Sequence, residues 1–151
     1  MTGARDIDTF KAKLASAGVD TALAFLNAGV AHRYSAVYRL DGNTLKNVLL
    51  HDKAGEVRPA FLAEVPFETS FCQFVIRDGL FQTSDSASDR RLDGHPYQGV
   101  MVSYHGVPIL AHGEIWGTLC HFDVAVQALT DEEFDLLRNA AAVTPGFVTA
   151  S

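Results

Sequence analysis

Apolar and polar positions change their spacing several times along the chain, and each change marks an element. From Asp6 to Asn27 the residues Ile7, Phe10 and Leu14, then Val19, Leu23 and Leu26, recur at steps of three and four, the period of a helix with one buried face. Gly18 can break this stretch into two helices, and Gly29 stops it. The runs RYSAVYRL (33–40) and TLKNVLLH (44–51) are rich in β-branched and aromatic residues. They flank Asp-Gly-Asn, whose Asp-Gly pair supplies the backbone freedom of a tight hairpin, so two antiparallel strands are expected. In SFCQFVIRDG (70–79), Ser70 is a candidate N-cap and Gly79 a stop for a short helix, and LFQTSD (80–85) follows as a strand.

The segment SASDRRLDGHPYQG (86–99) is polar and punctuated by Gly94 and Pro96, which fits a turn of helix within a long loop. Long loops in compact domains tend to carry function. VMVSYHGVPIL (100–110) and EIWGTLCHFD (114–123), joined by Ala-His-Gly, form a second hairpin. LTDEEFDLLRNAAA then opens with Thr130 and Glu133 as a capping box and lines up Phe134, Leu137 and Ala141 on one helix face, with Pro145 as its end. Antiparallel strands with helices gathered at both chain ends predict an α+β fold, the terminal helices packing together on one sheet face. The last strand alternates Ile115, Leu119 and His121 with Trp116, Cys120 and Phe122. Both sets are mostly apolar, so the second face needs a cover, and only the middle segments can supply it.

Composition narrows the function. The 151 residues, 48% hydrophobic, suit one domain spanning 1–151 with a substantial core. A net charge of −6 with scattered basic residues leaves no cationic stripe to follow a phosphate backbone, so no nucleic-acid partner is expected. No apolar run approaches a membrane span, and the opening MTGARDIDTF lacks the layout of a signal peptide, which predicts a cytoplasmic protein without a membrane partner. The two cysteines, Cys72 and Cys120, have no CxxC or zinc spacing, and the six histidines show neither HxH nor HExxH, so no metal site is expected.

SFC opening a short helix, SDSASD after a strand, VSYHGVPIL, and IWGTLCHFD followed by LTDEEFDLL together resemble the GAF domain, a small-molecule sensing module of signalling proteins, over a core of about residues 19–141. The resemblance implies a central antiparallel sheet of about six strands. It further implies terminal helices that build a homodimer and a ligand cavity between the other face and the middle loops. It names no cofactor, because members of the family bind cyclic nucleotides, bilins, haem, amino acids, aromatic effectors or nothing known. The Asn-Lys-X-X-X-Phe-X-X-X-Asp-Glu pattern of cyclic-nucleotide members is absent. The Cys120–His121 pair sits inside a strand rather than in a bilin-attachment motif. A stand-alone GAF enzyme, free methionine sulfoxide reductase, is the rival reading. It needs a nucleophilic and a resolving thiol, and where that family carries a CDAAS-like site this chain has SDSAS, with Ser84 before Asp85.

Candidate ligand contacts follow. Cys72, in the first turn of its helix, is either a thiol activated by the helix dipole or a small packed hydrophobe. Phe71, Phe74, Phe81, Tyr97 and Tyr104 either meet a ligand or fill the cavity themselves; in the latter case the chain would be a ligand-free dimerisation module. Tyr97, Ser103 and Tyr104 bring hydroxyls to the proposed cavity edge. Asp85 and Asp89 either share a proton or a cation on one helical face, or cap the loop and pair with Arg90 or Arg91. His121 is a strand histidine that either meets a ligand or is bonded within the core. No catalytic residue is identified. The expected role is a cytoplasmic sensor whose cavity lies within residues 70–104 and whose output passes through the helices to a separate signalling protein.

Overall fold

The computed structural model describes residues 6–57 and 60–144. Helix α1 spans Ile7–Ala17, and the Asp6 side chain caps it by accepting from Thr9 N at 2.8 Å. Gly18, at φ 94°, breaks the chain before α2, Val19–Ala28, so the predicted break is real. Strands β1 (Tyr34–Asp41) and β2 (Thr44–Asp52) pair through a two-residue turn whose first position, Gly42, has φ 60°. Next come α3 (Ala60–Ala63), β3 (Glu64–Pro66), α4 (Cys72–Asp78) and β4 (Phe81–Thr83). Strands β5 (Ser103–Ala111) and β6 (Glu114–Asp123) form the second predicted hairpin, and α5 (Asp131–Val143) closes the described chain. Thr130 caps α5 by accepting from Glu133 N. Pro145, the predicted end of α5, lies outside the described residues.

The six strands form one antiparallel sheet in the order β3-β2-β1-β6-β5-β4, an α+β arrangement in which the two hairpins meet at β1 and β6. The β1–β6 approach is very close. A Cβ on Gly117 would lie 1.9 Å from the carbonyl oxygen of Tyr38, so only glycine fits there. Alternation along the strands divides the interior into two cores. On one face Val37, Val107, Ile109 and Leu119 pack against Phe10, Leu14, Leu23, Leu26 and Leu137 of the terminal helices. On the other, Tyr38, Tyr104, Cys120 and Phe122 pack against Phe71, Cys72, Val75, Leu92 and Met101 of the middle segments.

Three details depart from the sequence reading. Residues 60–66 contribute a one-turn helix and an edge strand that pairs Val65 with Leu45, and neither is long enough to display a period. Ser70 is one position too early to be the N-cap of α4, a place held by Phe71, yet its hydroxyl still accepts from Gln73 N at 3.2 Å. Trp116 does not share a face with Cys120 and Phe122. The register slips between Ile109 and Leu110, leaving Trp116 as an unpaired extra residue that turns to the helix side.

Candidate functional site

A cavity of about 60 Å³ lies between the sheet and its cover. Tyr38, Leu45, Val65, Tyr104 and Phe122 form its floor, one residue from each of five strands. Leu62 of α3, Ser70, Phe71 and Cys72 at the start of α4, and Tyr97 and Met101 of the loop before β5 close it from above. The backbone sets this geometry. Gly106 follows Tyr104 by two positions, and a Cβ there would come within 2.6 Å of the Tyr104 ring; glycine therefore makes the space in which that ring lies. Ser86 fastens the cover. Fully buried, it donates from Oγ to Met101 O at 2.7 Å and accepts from Gly99 N at 2.9 Å, pinning both ends of the loop that carries Tyr97 and Met101.

The polar atoms of the lining are largely engaged within the protein. Tyr38 donates its hydroxyl to Leu62 O at 2.8 Å, and Ser70 donates to Phe67 O at 2.8 Å. Cys72 Sγ lies 3.1 Å from Tyr104 Oη and 3.2 Å from Thr118 Oγ1. Burial pushes the Cys72 thiol up despite these contacts, and pushes Tyr104 and Cys120 well above their ordinary values, so all three stay neutral. The helix dipole therefore does not win at Cys72: desolvation is the larger effect. Outside the cavity, Arg77 stacks on Phe74 and Arg91 on Phe81, with guanidinium carbons 5.1 and 4.7 Å from the ring centres.

Of the residues singled out in the sequence, Phe71, Cys72, Tyr97 and Tyr104 come together at this cavity. Phe74 lies behind Phe71, their ring centres 6.4 Å apart, and packs at the edge of the same core without lining the void. Asp85 and Asp89 do not form a carboxylate pair sharing a proton. The intervening segment is a 3₁₀ turn, and Asp89 caps the next turn by accepting from Arg91 N at 3.1 Å while binding the Arg91 guanidinium at 2.6 Å. Arg91 holds the Asp89 carboxyl down at about 2, and the same guanidinium bonds Gln82 O, tying the loop to β4. Ser103 and His121 point to the opposite, helix-side face.

On that face His121 joins a buried polar cluster that no local motif announced, while the Ser103 hydroxyl is buried without a hydrogen-bond partner among the described residues. His32 Nε2 and His105 Nδ1 are 2.9 Å apart, Ser35 Oγ meets His121 Nδ1, and Asn27 Nδ2 donates to Ser35 Oγ at 2.8 Å. Lys53 donates to the carbonyl oxygens of Asn27 and His32 at 2.7 and 2.9 Å, linking the end of β2 to the α2–β1 connection. Burial lowers His32 and His105 to about 4, with Asp123 opposing and Lys53 assisting the shift at His32. Spacing could not have revealed this cluster, because its members come from four separate stretches of chain. Among the described residues, no group of three or more histidine, cysteine or carboxylate side chains is placed to hold a metal ion, and no helix is long and apolar enough to cross a membrane.

Comparison with known proteins places this architecture. The GAF domain of an Acinetobacter phosphoenolpyruvate-protein phosphotransferase superposes with a TM-score of 0.74 at 13% identity, covering 95% of this chain and 90% of that one. Free methionine-R-sulfoxide reductase from Neisseria meningitidis, in complex with its substrate, gives 0.74 at 16% identity, covering 96% and 87%. The chromophore-binding domain of a Stigmatella aurantiaca bacteriophytochrome gives 0.72 at 9% identity, covering 96% of this chain and 59% of that one. At such identities the likeness extends to the fold alone. A search of curated protein sequences returned no match. The family model for the GAF domain matches residues 14–144, nearly the whole of the described structure, and the chain belongs to the GAF domain family.

Proposed function

We propose that this GAF domain is a cytoplasmic small-molecule sensor of signal transduction, with its ligand seated against Tyr97, Tyr104 and Cys72. The observation that carries the reading is the partly open apolar cavity, roofed by a loop that Ser86 fastens at its ends and Arg91 ties to β4. β5 offers a route outward: Tyr104 faces the cavity, and its neighbour His105 faces the helix layer and meets His32 beside the end of α2. A ligand that displaces Tyr104 shifts β5, and the His32–His105 contact passes the shift to α2. Only an occupant that favours one of the two arrangements can change their balance. The helices would deliver the output to a second copy of the chain or to a separate protein.

One observation favours a second reading. Ligand cavities usually measure about 300–1,000 Å³, whereas aromatic side chains already fill most of the space here, leaving about 60 Å³. A ligand-free dimerisation module would have such an interior. The reductase reading receives less support, since both thiols are buried and have raised pKa values, while sulfoxide reduction needs an accessible thiolate. Native mass spectrometry of protein purified from its own host, compared with the denatured mass, decides between sensor and module. A retained non-covalent molecule, lost when Tyr104→Ala is introduced, is the expected result. The bare dimer mass, from native protein with no addition to any fraction, would favour the dimerisation module.

A further inference from the structure

Resting on the sensor reading above, we propose that the cavity takes an uncharged, hydrocarbon-rich molecule of a few heavy atoms, up to one small ring, and rejects charged ligands. None of the residues lining the cavity carries a formal charge, and burial keeps Cys72 and Tyr104 neutral. Three of the hydroxyl and thiol groups lining the cavity are occupied within the protein: Tyr38 by Leu62 O, Ser70 by Phe67 O, and Cys72 by Tyr104 and Thr118. A carboxylate, phosphate or zwitterionic amino acid entering here would shed its water and find neither a counter-charge nor a row of free donors.

Aromatic walls can also cage a cation, so that case needs its own argument. Cation binding by ring faces is strengthened by acidic residues nearby. Arg77 and Arg91 instead rest on rings of the same aromatic core, Phe74 and Phe81, and add positive charge beside it. The Asp89 carboxylate is already taken up by Arg91. A neutral apolar guest suffers neither penalty, because it replaces poorly held water and gains dispersion contacts with Phe71, Tyr104 and Phe122. Size follows from the volume, about that of two water molecules in the liquid. Met101 is the lining side chain best able to move aside for a ring, being unbranched and flexible.

The test is amide-resolved NMR titration of the full chain with four probes of matched shape: xenon and benzene, uncharged, and benzoate and benzylammonium, charged. A Met101→Ala variant, which enlarges the cavity, is titrated in parallel. Saturable shifts at Cys72, Tyr104 and Phe122 with xenon or benzene, and charged probes at least tenfold weaker at those amides, are expected. If benzoate or benzylammonium saturates the same amides as tightly as benzene, the uncharged class is wrong and the sensor reading stands. If no probe moves those amides in either the parent chain or Met101→Ala, the cavity is not a ligand site and both readings fall together.

Discussion

Lowering the pH from 7.5 to 5.5 should destabilise the protein through His32 and His105. Both imidazoles are buried neutral, their pKa values lowered to about 4 by desolvation, and in the unfolded chain each returns to about 6.5. Because the folded value is the lower one, the pair costs nothing above the unfolded pKa; stability is lost as the pH falls from about 6.5 towards 4, while only the unfolded state takes up protons. Integrating over the two-unit window gives about 1.3 kcal/mol for each histidine and about 2.7 kcal/mol for the pair. The groups facing them leave the direction unchanged, since Asp123 opposes the shift at His32 and Lys53 reinforces it. The carboxylates whose pKa values are lowered, Asp52 and Asp89 among them, begin to titrate only below this window, as their unfolded values are about 3.9. The assay is urea unfolding followed by Trp116 fluorescence at constant ionic strength. His105→Gln keeps an acceptor near His32 and removes one titrating site, so the pH-dependent loss should shrink by about 1.3 kcal/mol, while His95, also lowered by burial, keeps its own share. A flat stability profile from pH 7.5 to 5.5, or an undiminished slope in His105→Gln, would refute the assignment.

Gly117→Ala should be the most damaging single methyl addition in the sheet, costing more than about 3 kcal/mol in urea unfolding, because the clash at 1.9 Å is with backbone rather than a movable side chain. Gly106→Ala should cost less, about 1–2 kcal/mol, since the neighbour is the Tyr104 ring; the ring's NMR shifts should report its displacement from Cys72. Native protein at pH 8 should react with iodoacetamide only at the rate of local opening, and both thiols should label rapidly once urea is added. Fast labelling of folded Cys72 would revive a thiol chemistry for this site. Lys53→Met should lose about 1 kcal/mol, since it removes the ammonium donor from the Asn27 and His32 carbonyls, which keep the Val30 N–H and Asn27 Nδ2 donors, and the same urea titration measures it.

How much of this was legible before the structure depended on how locally each feature is determined. The Gly18 break, both hairpins and the Thr130 cap follow from residues within four positions of one another, and all were readable. The edge strand at Glu64–Pro66 is held by β2, which no local pattern encodes. Strand alternation was sound until Trp116, where one extra residue reversed it, a slip that depends on pairing with β5. The candidate site divides along the same line. Cys72, Tyr97 and Tyr104 were found because they fall in or beside the covering segment, whereas Tyr38 and Phe122 reach the cavity only through the meeting of β1 and β6. The same pairing explains why Ser103 and His121 were misplaced. Single-residue alternation sets Ser103 opposite Tyr104 and His121 opposite Phe122, so within each adjacent pair one side chain lines the cavity and the other faces the helix side, where His121 enters the histidine cluster. The sheet is therefore more than a partition between two cores. Each of its central strands carries, one residue apart, a contact with the cavity and a contact with the helices, which is the arrangement a domain needs if a change on one face is to be felt on the other.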